Sequence, residues 1–256
     1  MQILVIGDVV GRPGRKAIQE VVPDLRQQYR LGMAIANAEN AAGGFGLTLS
    51  TAEELLDAGI NVLTSGNHIW AKKEIIPHLN GEMPILRPLN YPPGVPGRGY
   101  IANSQVMVVN LIGRTFMSHL DCPFRAMDQL LSELEHKPPV IIVDFHAEAT
   151  SEKMAMGRYL DGRVSAVLGT HTHVGTIDTR LLPQGTAYVT DIGMTGPIDS
   201  IIGDNTEAVI HRFLTMMPNR LSVGKGRTIF NAILVTIDDN SGKAISIDRI
   251  YREVES

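Results

Sequence analysis

Five short apolar runs rich in β-branched residues are each followed closely by a polar segment, and this alternation constrains the fold more than any other feature of the chain. Runs that are apolar throughout suit strands buried on both faces of a sheet. In layered α/β folds, ligands bind outside the carboxyl ends of such strands. We therefore expect the five polar segments to face one another after strands that include Ile3–Ile6, Met33–Ala36, Val62–Ser65, Val140–Val143 and Val164–Leu168.

The polar segments contain seven side chains with donor atoms of the kinds that bind divalent metal ions. Carboxylate, amide and imidazole donors, with no thiolate among them, suit a hard or borderline ion such as manganese, iron, zinc or magnesium. Seven donors exceed the needs of a single ion, and they fit two ions about 3.5 to 4 Å apart. The predicted ligands are Asp8, Glu39, Asn40, Asn67, His146, His171 and His173.

Each of these residues also has an interpretation that involves no metal. Asp8 could cap a helix that begins near Arg12–Pro13, and Glu39 could belong to a turn before Gly43–Gly44. A single histidine such as His146 is more often structural than ligating. Taken together, these interpretations require five strand ends to carry polar residues by accident, so the pattern favours a metal site.

A phosphate loop is the second alternative for the first segment. Gly7–Gly14 is rich in glycine and follows a strand, but its spacing matches neither the dinucleotide-binding nor the nucleoside-triphosphate motif. Asp8 would also present an anion to the phosphate. Only an intervening cation removes that repulsion, so the same residues favour a metal site.

In this order, the segments resemble the motifs of the calcineurin-like metallophosphoesterases, and most closely those of their YmdB-type branch. The matching stretches are Gly-Asp-Val-Val-Gly from Gly7, Asn-Ala-Glu-Asn from Asn37, Ser-Gly-Asn-His from Ser65, Phe-His-Ala-Glu from Phe145 and Gly-Thr-His-Thr-His from Gly169. The similarity runs from Gly7 to about Gly196. Three residues depart from the wider superfamily, in place of a metal-binding histidine, the bridging aspartate and a further acid: Val10, Glu39 and Ile69.

The resemblance implies a four-layer αββα sandwich of two mixed sheets, whereas periodicity alone predicts only a mixed α/β domain. The ligands it implies form two sets that share a bridging Glu39: Asp8, Asn40 and His173 for the first ion, and Asn67, His146 and His171 for the second. Asn40 would compensate for the histidine missing at Val10. Iron or manganese is expected first, with zinc or magnesium as the alternatives.

The same resemblance implies a dinuclear metal-dependent phosphoesterase that hydrolyses small cyclic nucleotides, both 2′,3′- and 3′,5′-cyclic. A hydroxide that bridges the ions would attack phosphorus. His68, beside Asn67 but outside the ligand set, is the predicted general acid. A phosphomonoesterase with the same metal centre is the nearest alternative. The alternative from another class is a regulatory protein that binds a nucleotide or a partner, with incidental catalysis.

Length and composition suit a globular enzyme. The 256 residues predict one domain over residues 1–256, and a net charge of -4 offers no basic surface for long nucleic acid. Cys122 is the only cysteine, which excludes an internal disulfide. The sequence predicts neither a signal peptide nor an apolar span of membrane length. We expect a cytoplasmic protein with no membrane contact, and the resemblance adds self-association as a homo-oligomer.

Strands and helices alternate in the first third of the chain, which indicates parallel βαβ units. Predicted strands at 2–6, 33–37 and 61–65 precede predicted helices at 12–30, 50–58 and 70–79. Farther along, a helix is predicted over Pro123–His136, and a hairpin is predicted from strands at Thr228–Ile237 and Lys243–Tyr251.

Three residues near the motifs have predicted supporting roles. Phe45, in a glycine-rich stretch, either stacks on a base or packs within its own loop, and loop packing is the simpler interpretation. Glu148, just after His146, is expected to support the ligands from behind. Asp191 follows another strand and is expected to close the site from the far side.

Overall fold

The computed structural model describes residues 1–255, which form two β-sheets flanked by helices. The strands, numbered in chain order, are β1 Gln2–Ile6, β2 Asp8–Val9, β3 Met33–Asn37, β4 Val62–Thr64, β5 Tyr100–Ala102, β6 Val106–Ile112, β7 Val140–His146, β8 Ala166–Thr170, β9 Arg180–Leu181, β10 Ala187–Val189, β11 Met194–Pro197, β12 Thr228–Ile237 and β13 Ala244–Val254. The α-helices are α1 Gly11–Tyr29, α2 Leu49–Asp57, α3 Pro123–Glu133, α4 Thr150–Leu160 and α5 Thr206–Thr215, and a 3-10 helix spans Lys73–His78.

Both sheets contain parallel and antiparallel neighbours. The first has seven strands, in the order β2-β11-β12-β1-β3-β4 with β13 paired to β12, and the second has six, in the order β5-β6-β7-β8-β10-β9. In the first sheet, β1 is parallel to β3 and antiparallel to β12. In the second, β6, β7 and β8 are parallel, and β5 is antiparallel to β6.

Three apolar clusters hold the layers together. Ile18 of α1 and Leu55 of α2 pack against the outer face of the first sheet. Ile35 and Ile142 belong to the cluster between the two sheets, and Met156 of α4 packs with α3 on the outer face of the second sheet. The layers therefore run helix, sheet, sheet, helix. The predicted four-layer αββα sandwich of two mixed sheets is confirmed.

Most predicted elements lie where the sequence placed them, including the C-terminal hairpin, in which β12 and β13 pair antiparallel from Thr228 opposite Val254. The helix predicted at 70–79 is wrong in type, because only a 3-10 helix forms, over Lys73–His78. Pro77 lies inside it and has no backbone N–H to continue an α-helical ladder. Short 3-10 pieces are common at such points.

The strand directions place the functional segments at one end of the sandwich. Strands β1, β3 and β4 run parallel in the first sheet, and β7 and β8 run parallel in the second. Their carboxyl ends meet across the gap between the sheets, where the backbone N–H of His171 donates to Asp8 Oδ2 at 3.1 Å. Segments far apart in sequence are thereby joined.

Candidate metal centre

The structure brings together all seven predicted ligands and His68. Asp8 lies in β2, His146 ends β7, and the other six follow the ends of β3, β4 and β8. The two acids and His146 are at most 1% exposed. Burying acids to this extent is costly unless a cation or hydrogen bonds compensate them.

One imidazole nitrogen forms the centre of the site. His146 Nε2 lies 3.1 Å from Glu39 Oε1, 3.1 Å from Asn67 Oδ1 and 3.0 Å from His171 Nδ1. An octahedral ion with bonds of about 2.1 Å separates neighbouring ligand atoms by about 3 Å. The donor set predicted for the second ion is therefore assembled at ligand spacing, and these residues fit a metal ion.

A buried network behind His146 selects the tautomer that a metal needs. Thr170 donates its hydroxyl proton to Asp144 Oδ1 at 2.7 Å, so it accepts from His146 Nδ1, which is 3.0 Å away. Thr64 and Asn37 donate to the other oxygen of Asp144. With the proton held on Nδ1, the Nε2 lone pair is left for an ion.

The charged groups of the site shift one another's pKa values. Burial alone favours the neutral forms of Glu39 and His146, but their mutual attraction and hydrogen bond lower the pKa of Glu39 to about 2 and raise the pKa of His146 to about 9. Burial and the neighbouring His146 charge lower the pKa of His171 to about 3. Binding of a divalent ion by Glu39 and His146 would displace the proton that His146 carries.

The donors predicted for the first ion are spaced more widely than those around His146 Nε2. Burial raises the pKa of Asp8, and within residues 1–255 its Oδ1 has no hydrogen-bond donor. That oxygen lies 3.7 Å from His173 Nε2. A buried carboxylate oxygen without a donor is the kind of atom that a cation satisfies. Asp8 and His173 therefore also fit a metal ion.

Asn40 lies between two of the histidines. Its Oδ1 is 2.7 Å from His68 Nδ1, and its Nδ2 is 3.2 Å from His173 Nε2. In this orientation the amide oxygen serves His68. Ligation of an ion beside His173 requires the reverse orientation of the amide, so the ligand role of Asn40 stays a prediction.

His68 lies at the open side of the site. Its backbone N–H donates to Glu39 Oε2 at 2.9 Å, and its side chain is 28% exposed. Asn40 accepts from Nδ1, which leaves Nε2 free to exchange a proton with a bound molecule. Burial lowers the pKa of His68. The general-acid role stays a prediction with suitable geometry.

Sequence reasoning missed the network behind His146, and it gave no role to Lys153. Lys153 of α4 is 1% exposed and donates to Asp191 Oδ2 at 2.6 Å and to the Thr170 carbonyl at 2.7 Å. Asp191 also accepts from the hydroxyl of Thr172 at 2.8 Å. The pair thus holds the loop that carries both of the last histidine ligands, whose φ angles of 102° and 66° are left-handed.

One signal in the sequence points to the network behind His146. Asp144 interrupts an otherwise apolar buried strand two residues before His146, which places both side chains on one face. The predicted supporting position of Glu148 agrees with the structure, since its Oε2 lies 3.0 Å from His171 Nε2.

Gly66 is required by close packing against His146. A methyl group at Gly66 would lie 2.1 Å from His146 Cδ2 and 2.2 Å from Nε2. We expect Gly66→Ala to weaken binding of Mn²⁺ to the chelator-stripped protein by roughly 10- to 100-fold, the range for displaced ligand support. Calorimetric titration of the stripped protein with Mn²⁺ measures the affinity. Gly81→Ala is the control, because its added methyl meets nothing closer than 3.2 Å. Unchanged affinity in Gly66→Ala would contradict ligation by His146.

The chain is similar to known proteins along nearly its whole length. The family model for YmdB-like proteins matches residues 4–250. A 2′,3′-cyclic-nucleotide 2′-phosphodiesterase of Bacillus subtilis (strain 168) is 50% identical over 254 residues, which cover 98% of this chain and 96% of the relative.

Solved structures show the same architecture. A hypothetical protein from Thermus thermophilus superposes with a TM-score of 0.93 at 45% identity, covering 99% of each chain. A structure described as a novel phosphatase from Mycoplasma pneumoniae superposes with a TM-score of 0.93 at 34% identity, covering 99% of this chain and 93% of the other.

Proposed function

The chain belongs to the YmdB-like family of metallophosphoesterases, and we propose that it is a metal-dependent phosphodiesterase that opens 2′,3′-cyclic nucleotides. The names of its relatives support hydrolysis of phosphate esters as the reaction class. The observation that carries the proposal is the convergence of Glu39, Asn67 and His171 on His146 Nε2 at 3.0 to 3.1 Å. Two buried acids and three histidines gathered at one place are the donor types that divalent ions bind, which supports a metal-assisted reaction.

The metal ligands in this proposal are the seven predicted residues. The set around His146 would hold one divalent ion, and Asp8, Asn40 and His173, with Glu39 shared, would hold the other. Bound ions would make a water molecule nucleophilic near neutral pH and offset the charge of the phosphoryl oxygens. Asp8 and Glu39 would repel a phosphodiester anion, and bound cations would remove that repulsion. Iron or manganese is the proposed metal.

His68 supplies the proton in the proposed reaction. Water adds to phosphorus, the bond from phosphorus to O2′ breaks, and the proton from His68 Nε2 goes to O2′, which yields a nucleoside 3′-phosphate. The water proton returns to His68, so the enzyme is regenerated. The backbone N–H of His68 donates to Glu39 Oε2 at 2.9 Å, which keeps this imidazole beside the proposed metal ligands. We propose that 3′,5′-cyclic nucleotides are opened by the same groups.

Removal and return of metal tests the proposal. We expect chelator-stripped protein to be inactive towards 2′,3′-cyclic AMP, and we expect Mn²⁺ or Fe²⁺ to restore turnover as two ions bind per chain. Initial rates and elemental analysis of the metal content measure these quantities. Turnover that survives complete metal removal would overturn the mechanism, and restoration by a single ion would overturn the dinuclear assignment.

A phosphomonoesterase with the same centre is the second candidate, favoured by the description of one structural relative as a phosphatase. Comparing 3′-AMP with 2′,3′-cyclic AMP separates the two, because a diesterase should release little phosphate from the monoester. If metal-loaded protein turns over neither substrate, a regulatory binding role becomes the better explanation.

Two other predictions concern the setting of the protein. Residues 1–255 include no helix that combines the length and apolar character needed to span a bilayer. A cytoplasmic location and a homo-oligomer stay predictions.

A further inference from the structure

The glycine-rich loop Gly43–Gly46 is tied to the predicted ligands by its backbone. The N–H of Gly46 donates to the Glu39 carbonyl at 2.6 Å, and the N–H of Gly44 donates to the Asn40 carbonyl at 3.1 Å. Gly43, Gly44 and Gly46 have φ angles of 71°, 88° and 86°, which residues with a side chain rarely adopt. The one side chain of this loop, Phe45, is therefore held at a fixed place relative to the metal ligands.

Phe45 reaches from this loop to the predicted general acid. Its ring centroid lies 4.3 Å from that of His68, with the ring planes inclined at 50°. The side chain is nevertheless 52% exposed, so the contact with His68 leaves about half of it open to solvent. Large aromatic side chains stabilise a fold mainly through burial, and burial here is incomplete. The exposed part of the Phe45 side chain therefore lies near His68.

The chemistry of the substrate places its base beside this ring. In a 2′,3′-cyclic nucleotide, only the ribose carbons C2′ and C1′ separate the leaving O2′ from the base. His68 donates its proton to O2′ in the proposed reaction, and Phe45 contacts His68. A base that is two carbon atoms away from the oxygen protonated by His68 is within reach of the exposed part of Phe45.

We propose that Phe45 is a specificity-determining residue on which the nucleobase stacks, so that the site selects cyclic nucleotides over cyclic phosphates that lack a base. This inference rests on the proposed phosphodiesterase function. Stacking accepts any base, because every base has a π-face. The site should therefore discriminate little among bases while rejecting substrates without one. Loop packing, the simpler interpretation from sequence, accounts for the contact with His68 but not for the exposed part of the ring.

The test compares two substrates in metal-loaded protein: 2′,3′-cyclic AMP and 1-O-methylribose 2′,3′-cyclic phosphate, which has no base. We expect Phe45→Leu to lower kcat/KM for cyclic AMP by roughly 5- to 100-fold, the range for loss of one stacked base. The change should appear mainly in KM, because stacking is present in both the bound substrate and the transition state. The rate on the sugar phosphate should be nearly unchanged. Phe45→Tyr should keep the preference, since it keeps the ring.

The ratio of the two kcat/KM values decides the outcome, because a partly unfolded variant lowers both values alike. Phe213→Leu is the matched control, since Phe213 is an exposed aromatic on α5. A Phe45→Leu ratio equal to that of the wild type overturns the inference, and a fall confined to kcat assigns Phe45 to positioning of His68 instead. Wild-type protein that hydrolyses neither substrate refutes the proposed function, and the inference with it. Turnover of both substrates at equal efficiency refutes the inference alone.

Discussion

Replacement of His68 by alanine is expected to lower kcat for 2′,3′-cyclic AMP by roughly 10²- to 10⁴-fold, the contribution of a positioned general acid. The leaving O2′ is an alkoxide unless it receives a proton, and His68 Nε2 is the donor that the geometry supplies. The metal content should stay close to the wild-type value, because His68 lies outside the proposed ligand set and its hydrogen bond to Glu39 is donated by the backbone N–H, which alanine retains. Initial rates and elemental analysis measure the two quantities separately.

A second substrate, whose leaving group needs no proton, tests whether the loss in His68→Ala comes from proton donation. Bis(4-nitrophenyl) phosphate releases 4-nitrophenolate, which departs without a proton, so His68→Ala should slow its hydrolysis far less than that of cyclic AMP. Equal losses on both substrates would contradict proton donation and point to an effect on metal or substrate binding. His211→Ala is the control, since His211 is an exposed histidine on α5, and its rates should match the wild type.

The position of the site could be predicted from sequence because of a physical constraint on buried strands. A polar side chain at the end of an apolar run such as Val140–Val143 is costly unless it has a partner. The carboxyl ends of parallel strands lie at the same edge of their sheet, and the two sheets here bring those edges together. Asp8 and His171 illustrate the result, since they lie 163 positions apart and yet share a hydrogen bond.

Finer features depend on contacts that no local pattern encodes. Asn40 presents its oxygen to one histidine and its nitrogen to another, and the sequence does not indicate which end of an amide faces which neighbour. Asp144 is visible as an acid in an apolar strand, but its link to His146 passes through Thr170 of another strand. Pairings of this kind follow from strand register, which becomes known only with the fold.

Lys153 shows most clearly what the sequence conceals. In the chain it resembles an ordinary solvated lysine in the first turn of α4, yet it is 1% exposed and bonded to an equally buried Asp191. Three bonds converge on Asp191 Oδ2, from Lys153 and from the backbone N–H and hydroxyl of Thr172. The pair is thus a structural support for the loop between β8 and β9, on which His171 and His173 depend.

We expect Lys153→Met to lower the free energy of unfolding by roughly 3 to 5 kcal/mol, the cost of leaving one partner of a buried ion pair without the other. Methionine fills the space of the lysine stem, so the loss reflects the unpaired Asp191 carboxylate rather than a cavity. Urea unfolding of chelator-stripped protein measures the change, because bound metal would add its own stabilisation to the folded state.

The double variant Lys153→Met/Asp191→Asn separates charge from packing. It removes both charges and should recover part of the lost stability, as replacement of whole buried pairs does in other proteins. Arg163→Met is the control, since its pair with Asp128 is solvent-exposed and should contribute far less.

Because Lys153 also holds the Thr170 carbonyl, both Lys153 variants should bind Mn²⁺ more weakly even where they remain folded. Wild-type stability and metal affinity in Lys153→Met would show that the loop keeps its left-handed histidines without the pair, and that their conformation is set by the neighbouring backbone alone.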